Sequence, residues 1–187
     1  MLTADAALAR GVSLAYHAFE HDLVSRETFE AMDYQTHLSE PGLVERLADE
    51  VFSPDTAPNT APGTAPGTAP VTDNPLRHIN LARTNDASIE LCLSLTDAVN
   101  NTWPPNTDSV AFDAIYLDAF SPDTNAECWS DEMLSRLFTA LRSDGGTLVT
   151  YCAKGAVRRS LEAVGFVVHR HPGPPGKREI LSASRTS

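Results

Sequence analysis

Three carboxylates stand where a strand-like run gives way to a turn: Glu20 after residues 12–19, Asp97 after 88–95 and Asp118 after 114–117. In an open parallel α/β sheet, ligands bind just beyond the carboxyl ends of the strands. An acid in that position has two oxygens that accept hydrogen bonds, so one side chain can hold both hydroxyls of a ribose. Three such acids in sheet order point to one cleft shaped for a ligand rich in hydrogen-bond donors. The other reactive residue types add little. Cys92, Cys128 and Cys152 are scattered with no CxxC pair, which argues against a disulfide framework or structural zinc and for small buried thiols. The histidines are assigned to surface or packing, and no metal site is expected.

The elements that must position these acids alternate between the two periodicities. Residues 1–10 predict a helix stopping at Gly11, and 12–19 a strand. From the N-cap candidate Ser25, apolar residues at helical spacing run through 26–38 and again after Pro41, with the break at Ser39–Pro41. Residues 53–75, centred on TAPGTAPGTAP, cannot build a packed element and predict a flexible insertion with no chemistry. Residues 77–82 and 88–95 predict two strands, with a turn at Asn85-Asp86. The run 114–117 predicts a short, buried, parallel strand. Ser130 is placed to cap a helix over 130–143, with acids in its first turn and Arg142 in its last. A strand over 147–153, a helix over 156–165 stopped by Gly165, and strands at 166–171 and 178–184 complete the chain. The last two lack a helix between them and should pair antiparallel, across the Pro-Gly-Pro-Pro-Gly loop of 172–176. Alternating strands and helices imply a doubly wound α/β sheet in a single domain over residues 1–187.

The net charge of −11 alone disfavours a nucleic-acid partner. Its distribution tells otherwise. Residues 151–187 hold seven basic and two acidic side chains, a local charge of +5 against −16 for the rest. A basic end on an acidic body is able to meet a phosphate backbone, or to be a solvated surface with no partner. No run approaches the roughly 18 apolar residues of a membrane span, and the first residues lack a secretory pattern, so a cytoplasmic protein is expected.

The most specific stretch is 112–129, which contains Leu117-Asp118-Ala119-Phe120-Ser121-Pro122 and then Asn125 and Trp129. It resembles the signature of the tRNA 5-methylaminomethyl-2-thiouridine methyltransferases (the MnmC methyltransferase domain and stand-alone MnmD). In that signature a strand leads into Leu-Asp-Ala/Gly-Phe-Ser/Ala-Pro and then Asn-Pro-x-x-Trp; Ala126 stands where the proline is usual. The resemblance continues through 145–168 and the Lys177-Arg178-Glu179 run. Upstream it takes in 15–25, similar to the family's ribose-binding strand, and Thr96-Asp97-Ala98, where the family has Gly-Asp-Ala. It implies a Rossmann-like class I fold and S-adenosylmethionine as cofactor. The implied reaction is N-methylation of the 5-aminomethyl group of 2-thiouridine at the tRNA wobble position. Carried over by residue, it implies Glu20 for the cofactor's ribose and Asp97 near its adenine amine. Asp118, Phe120 and Pro122 would form the floor where sulfonium methyl and acceptor amine meet. Lys154, Arg158, Arg159, Lys177 and Arg178 are the candidates for tRNA phosphates. No oxidase module accompanies them, so a flavin-dependent oxidase acting on the same nucleoside would be a separate partner. Phe120 and Trp129 keep a second reading as core aromatics, and Asp118 as a turn former.

One departure stands at the front. The family begins with a strand and a glycine-rich turn, and nothing before Ala15 supplies them; Gly11 is the only early glycine. That strand lies between those of Glu20 and Asp118, so without it two half-sheets should pair directly or leave open edges. The chain thus reads as an N-terminally truncated methyltransferase, either a shortened gene model whose true start lies upstream or an inactive Rossmann-like remnant that binds RNA or a protein. The same missing turn counts against a nicotinamide-linked dehydrogenase.

Overall fold

In the computed structural model, residues 2–40, 42–52, 76–84, 86–100 and 111–186 are described. The insertion expected over 53–75 and Asn85 of the expected turn lie outside them. The chain divides into two compact units, Met1–Asn101 and Thr102–Ser187.

The first unit contains α1 (Leu2–Ala9), β1 (Leu14–Glu20), α2 (Arg26–Ala31), α3 (Gly42–Val51), β2 (Leu76–Arg83) and β3 (Ser88–Leu95). Its sheet has the order β1-β3-β2, with β1 parallel to β3 and β2 antiparallel to it. Alternation along β3 sends Ile89 and Leu93 into a core with Leu43, Val44 and Val51 of α3 and Ile79 and Leu81 of β2. Ser25 caps α2 as expected, its hydroxyl accepting from the Thr28 amide at 3.1 Å. The helix does not run on through residue 38, however. Asp33 adopts a left-handed backbone (φ 52°), and a separate 3-10 turn follows at Tyr34–His37. Aspartate tolerates that conformation, and helical spacing of apolar residues does not register a single reversed dihedral.

The opposite face of this sheet aligns His17, Cys92 and His78 on one rung, with Cys92 Sγ 3.7 Å from His78 Nδ1. Burial, reinforced by the neighbouring His78, holds the His17 imidazole below its ordinary value of 6.5. Backbone amides of Ser39 and then Glu40 hold the Asp5 carboxyl below its ordinary 3.8; the Glu40 amide donates to it at 2.8 Å. For both groups the unfolded chain binds protons more tightly than the fold, so stability rises with pH. Acid should therefore weaken this unit in two stages, beginning near 6.5 for His17 and near 3.8 for Asp5, each continuing through the lower folded value. Thermal melts between pH 7 and 5 check the first stage: His17→Gln should flatten it, and an unchanged slope would remove His17 as its source.

The second unit contains β4 (Ala114–Tyr116), α4 (Asp131–Ala140), β5 (Thr147–Thr150), α5 (Gly155–Val164), β6 (Val167–Pro172) and β7 (Glu179–Ser184). Its sheet has the order β4-β5-β7-β6, with β4 parallel to β5 and the other pairs antiparallel. The C-terminal hairpin is thus antiparallel, as its missing helix required. Leu134, Leu141, Leu148, Leu161, Leu181 and Ala183 are fully buried. Phe138 meets Phe166 edge to face at 4.9 Å between ring centroids.

Two expectations are corrected here. The strand at 114–117 was expected to be buried, but Ala114 is exposed and the Tyr116 side chain is 52% exposed. The reason is position: β4 is the last strand of its sheet, paired there with β5 alone. Its short apolar run has the composition of an interior strand without the surroundings of one. The helix starting at Ser130 was expected to reach Arg142, but it ends at Ala140, and Leu141 turns extended. Leu141 is drawn into a parallel bridge with Phe112, and the Phe112 carbonyl accepts from the Arg142 amide at 3.0 Å. Arg142 pairs with Asp113 at 2.8 Å instead of serving the helix end. That service falls to Arg185, whose Nη1 donates to the carbonyls of Phe138, Thr139 and Leu141. Among the described residues the strands form two sheets, the half-sheets expected in the absence of the missing strand. Each ends in one of the strands expected to flank the missing one, β1 and β4.

Candidate active site

In the first unit, Glu20 ends β1 opposite Leu95, the last residue of the parallel strand β3, and Asp97 follows two residues later. Parallel pairing therefore carries both acids to one edge of one sheet. Each also has local partners. Glu20 Oε1 accepts from the Asp22 amide at 3.1 Å. Asp97 accepts from the Val99 amide at 2.8 Å through Oδ1 and from Asn100 Nδ2 at 2.6 Å through Oδ2. A short acidic side chain at a turn reaches the amide two residues on, which fixes its orientation and leaves further lone pairs on each oxygen. The four-residue separation of His17 and His21 has no helical meaning, since His17 lies in β1 and His21 follows its end.

In the second unit, the Leu117 amide donates to the Val149 carbonyl at 2.9 Å, closing the β4–β5 ladder one residue past the strand. Asp118 is the next residue, exposed at the carboxyl edge of two parallel strands. The loop that follows is fastened at several points. Pro122 occupies the second position of a turn in which the Ser121 carbonyl accepts from Thr124 and Asn125 at 2.8 and 3.0 Å; the ring's fixed φ suits that position. Trp129 Nε1 donates to the Phe120 carbonyl at 2.7 Å. Asp123 is paired with Lys154, which precedes α5.

The two aromatic residues of this segment part company. Trp129 is buried at 7% exposure, whereas the Phe120 side chain is 75% exposed. A phenylalanine this exposed contributes little to the core; its backbone carbonyl is held by Trp129 while its side chain lies open to solvent, two residues beyond Asp118. The sequence offered both readings for both rings, and loop residues carry no periodicity that would separate them. The tie from Trp129 to Phe120 was not anticipated. Donor and acceptor are nine positions apart, and the only available hint was that both belong to one short motif.

The basic residues also divide. Lys154 is engaged by Asp123, and Arg158 pairs with Glu162 one helical turn on at 2.7 Å. The side chains of Arg159, Lys177 and Arg178 make no hydrogen bond or ion pair with other described residues. Lys177 and Arg178 close the β6–β7 hairpin. Among the described residues, no helix is long and apolar enough to cross a membrane.

Comparisons with known proteins bear on the same segments. A family model described as S-adenosyl-L-methionine-dependent methyltransferase matches residues 68–186. The chain is 45% identical over 98 residues to the tRNA 5-methylaminomethyl-2-thiouridine biosynthesis bifunctional protein MnmC of Cupriavidus metallidurans, covering 52% of this chain and 14% of that protein. It is 37% identical over 106 residues to the protein of the same description from Hahella chejuensis, covering 57% and 16%. The chain therefore spans about a seventh of the length of these curated relatives. The crystal structure of MNMC2 from Aquifex aeolicus superposes with a TM-score of 0.53 at 21% identity, over 94% of this chain and 45% of that one. At that identity the likeness is one of fold, and it places the chain in the Rossmann-like α/β class.

Proposed function

From the premise that this chain belongs to the S-adenosyl-L-methionine-dependent methyltransferase family, we propose that it methylates an alkylamine on a tRNA nucleoside, the 5-aminomethyl group of 2-thiouridine at the wobble position. One observation carries the reading: Asp118 stands at the carboxyl edge of β4 and β5, next to an outward-facing Phe120 on a loop pinned by Trp129.

The donor set fits the cofactor. Its ribose offers two neighbouring hydroxyls and its adenine an exocyclic amine, and all of these donate hydrogen bonds. Glu20 and Asp97 present acceptor oxygens at one edge of a parallel strand pair, oriented by their own turn contacts. Glu20 would hold the ribose and Asp97 the adenine amine. Bound S-adenosylmethionine supplies the methyl group as an activated sulfonium.

The chain's own residues do the rest by positioning. An amine reacts only through a free lone pair, so it must arrive neutral or give up a proton. The Asp118 carboxylate accepts one N–H of the amine, turns the lone pair toward the incoming methyl group and takes the proton released. Phe120 offers a ring face to the nucleobase, and Pro122 limits how far the loop yields. Alignment of the two reactants supplies most of the rate gain. The tRNA is held through phosphates by the basic residues. Arg159, Lys177 and Arg178 are already available, whereas Lys154 and Arg158 would first exchange a carboxylate partner.

Calorimetric titration of the chain with S-adenosylmethionine tests this reading. Binding at micromolar concentration is expected, and no heat at millimolar ligand would leave the chain as a Rossmann-like remnant without a working cofactor site.

A further inference from the structure

The family relationship assigns no role to the notch at the turn end of the C-terminal hairpin. It is a cleft of about 290 Å³ lined by Arg170, His171 and Pro172 of β6 and by Arg178 and Glu179 at the start of β7. We infer that this notch is a phosphodiester seat, in which Arg170 and Arg178 grip consecutive phosphates of an RNA strand. The inference rests on the RNA part of the reading above and adds two residues, Arg170 and His171, to the surface it invokes.

Its first support is a backbone built to present charge. The Gly173 amide donates to the Arg178 carbonyl at 3.1 Å, and the Lys177 amide to the Pro174 carbonyl at 2.9 Å. A Cβ on Gly173 would lie 2.2 Å from the Lys177 carbonyl oxygen, and Gly176 adopts φ 86°, so the loop closes this tightly only with glycine at those positions. Pro172, Pro174 and Pro175 restrict it further. The backbone that carries Lys177 and Arg178 is thus ordered before a ligand arrives, so binding costs the freedom of their side chains but not of the chain that bears them.

Its second support is charge balance. Arg170, Lys177 and Arg178 face one acid, Glu179, and that acid reaches Arg170 at 3.4 Å with the arginine side chain still 51% exposed. An exposed pair at that distance is worth little, and a phosphate can take its place with a forked, two-hydrogen-bond contact. His171 Nε2 shares a 2.7 Å hydrogen bond with Ser182 Oγ across the hairpin, which fixes the ring against the notch wall.

Its third support is placement. β6 is the last strand of its sheet, and residues 169–172 are all exposed. Residues 151–187 carry +5 against −16 for residues 1–150, so a polyanion is drawn to the C-terminal segment. An unbroken row of phosphates satisfies Arg170, Lys177 and Arg178 at once, whereas an isolated carboxylate satisfies one of them. That favours nucleic acid over an acidic protein segment.

The test is fluorescence anisotropy with a labelled, unmodified tRNA transcript across a salt series. Arg170→Gln with Arg178→Gln should weaken binding about tenfold or more and lower the slope of log K against log salt by about two, one per lost phosphate contact. Arg142→Gln, whose guanidinium already serves Asp113, should change neither. Unaltered affinity and slope in the double variant would overturn the notch, as would equal binding of polyglutamate. The cofactor titration separates this from the reading it rests on. Cofactor binding with no contribution from the notch removes the notch alone, while salt-dependent tRNA binding without cofactor binding removes the methyltransferase reading and leaves the notch standing.

Discussion

Alanine at Asp118 should lower methyl-transfer turnover at least tenfold while leaving the fold and the affinity for S-adenosylmethionine near their native values. Tenfold corresponds to about 1.4 kcal/mol of transition-state stabilisation, a modest demand for a group that both orients an attacking lone pair and receives its proton. The stability side follows from placement. Asp118 is exposed, one residue beyond the last rung of the β4–β5 ladder, and surface substitutions away from packed or capped positions usually stay within about 0.5 kcal/mol. The carboxylates proposed for the cofactor's nucleoside, Glu20 and Asp97, belong to the other compact unit, so their affinity should be little affected. Asp118→Asn divides the two duties. The amide keeps an acceptor oxygen but cannot take a proton at neutral pH. Partial activity in the asparagine variant with little in the alanine variant would make orientation the larger duty. Turnover within about threefold of native in both would remove Asp118 from the mechanism.

How far the sequence foretold this arrangement depends on the range of the interaction concerned. Local signals were sound: the Ser25 and Ser130 caps, the stop at Gly165 with its φ of 115°, and the antiparallel return of β6 and β7 all rest on a few adjacent residues. The acids at strand tips were legible too, because the strands could be bounded from composition. What escaped was contact between distant residues. Arg142 occupies the position of a helix-ending cation, yet Arg185, more than forty residues away, satisfies those carbonyls while Asp113 draws Arg142 aside. The apolar run 114–117 reads as interior whether its strand has one neighbour in the sheet or two, and only pairing decides that. The local partners of Glu20 and Asp97 were not legible, because the amides and the amide side chain that occupy them belong to turns whose dihedrals leave little trace in residue type.

Trp129 illustrates the same blindness and yields the second large expectation. Substituting phenylalanine should cut turnover severalfold to tenfold and sharply speed amide exchange over residues 118–125, with cofactor affinity unchanged. Phenylalanine keeps an aromatic ring in the buried site but has no N–H, so the Phe120 carbonyl loses the donor now at 2.7 Å. A net hydrogen bond is worth roughly 0.5–1.5 kcal/mol, and leaving a partly buried carbonyl unpaired costs about 1–3. Either is enough to loosen a loop whose other tie to the rest of the unit, besides its own Ser121–Asn125 turn, is the ion pair between Asp123 and Lys154. That pair has side-chain exposures of 80% and 45%, which puts it among surface salt bridges worth about 0–1 kcal/mol. Trp129 should thus be the stronger of the two clamps, and Lys154→Gln should change loop exchange and turnover far less than Trp129→Phe. The kinetic pattern distinguishes positioning from general destabilisation. A loosened loop lowers kcat, because Asp118 and Phe120 are less often in place, and it opens residues 118–125 selectively. Global loosening of the second unit would instead also speed exchange in β5 and β7, whose Leu148 and Leu181 are fully buried. Were Trp129→Phe to leave the 118–125 amides as protected as in the native chain, the tie from indole to Phe120 would have no part in holding the loop, and the rigidity of this segment would have to come from the Ser121–Asn125 turn and the Asp123–Lys154 pair.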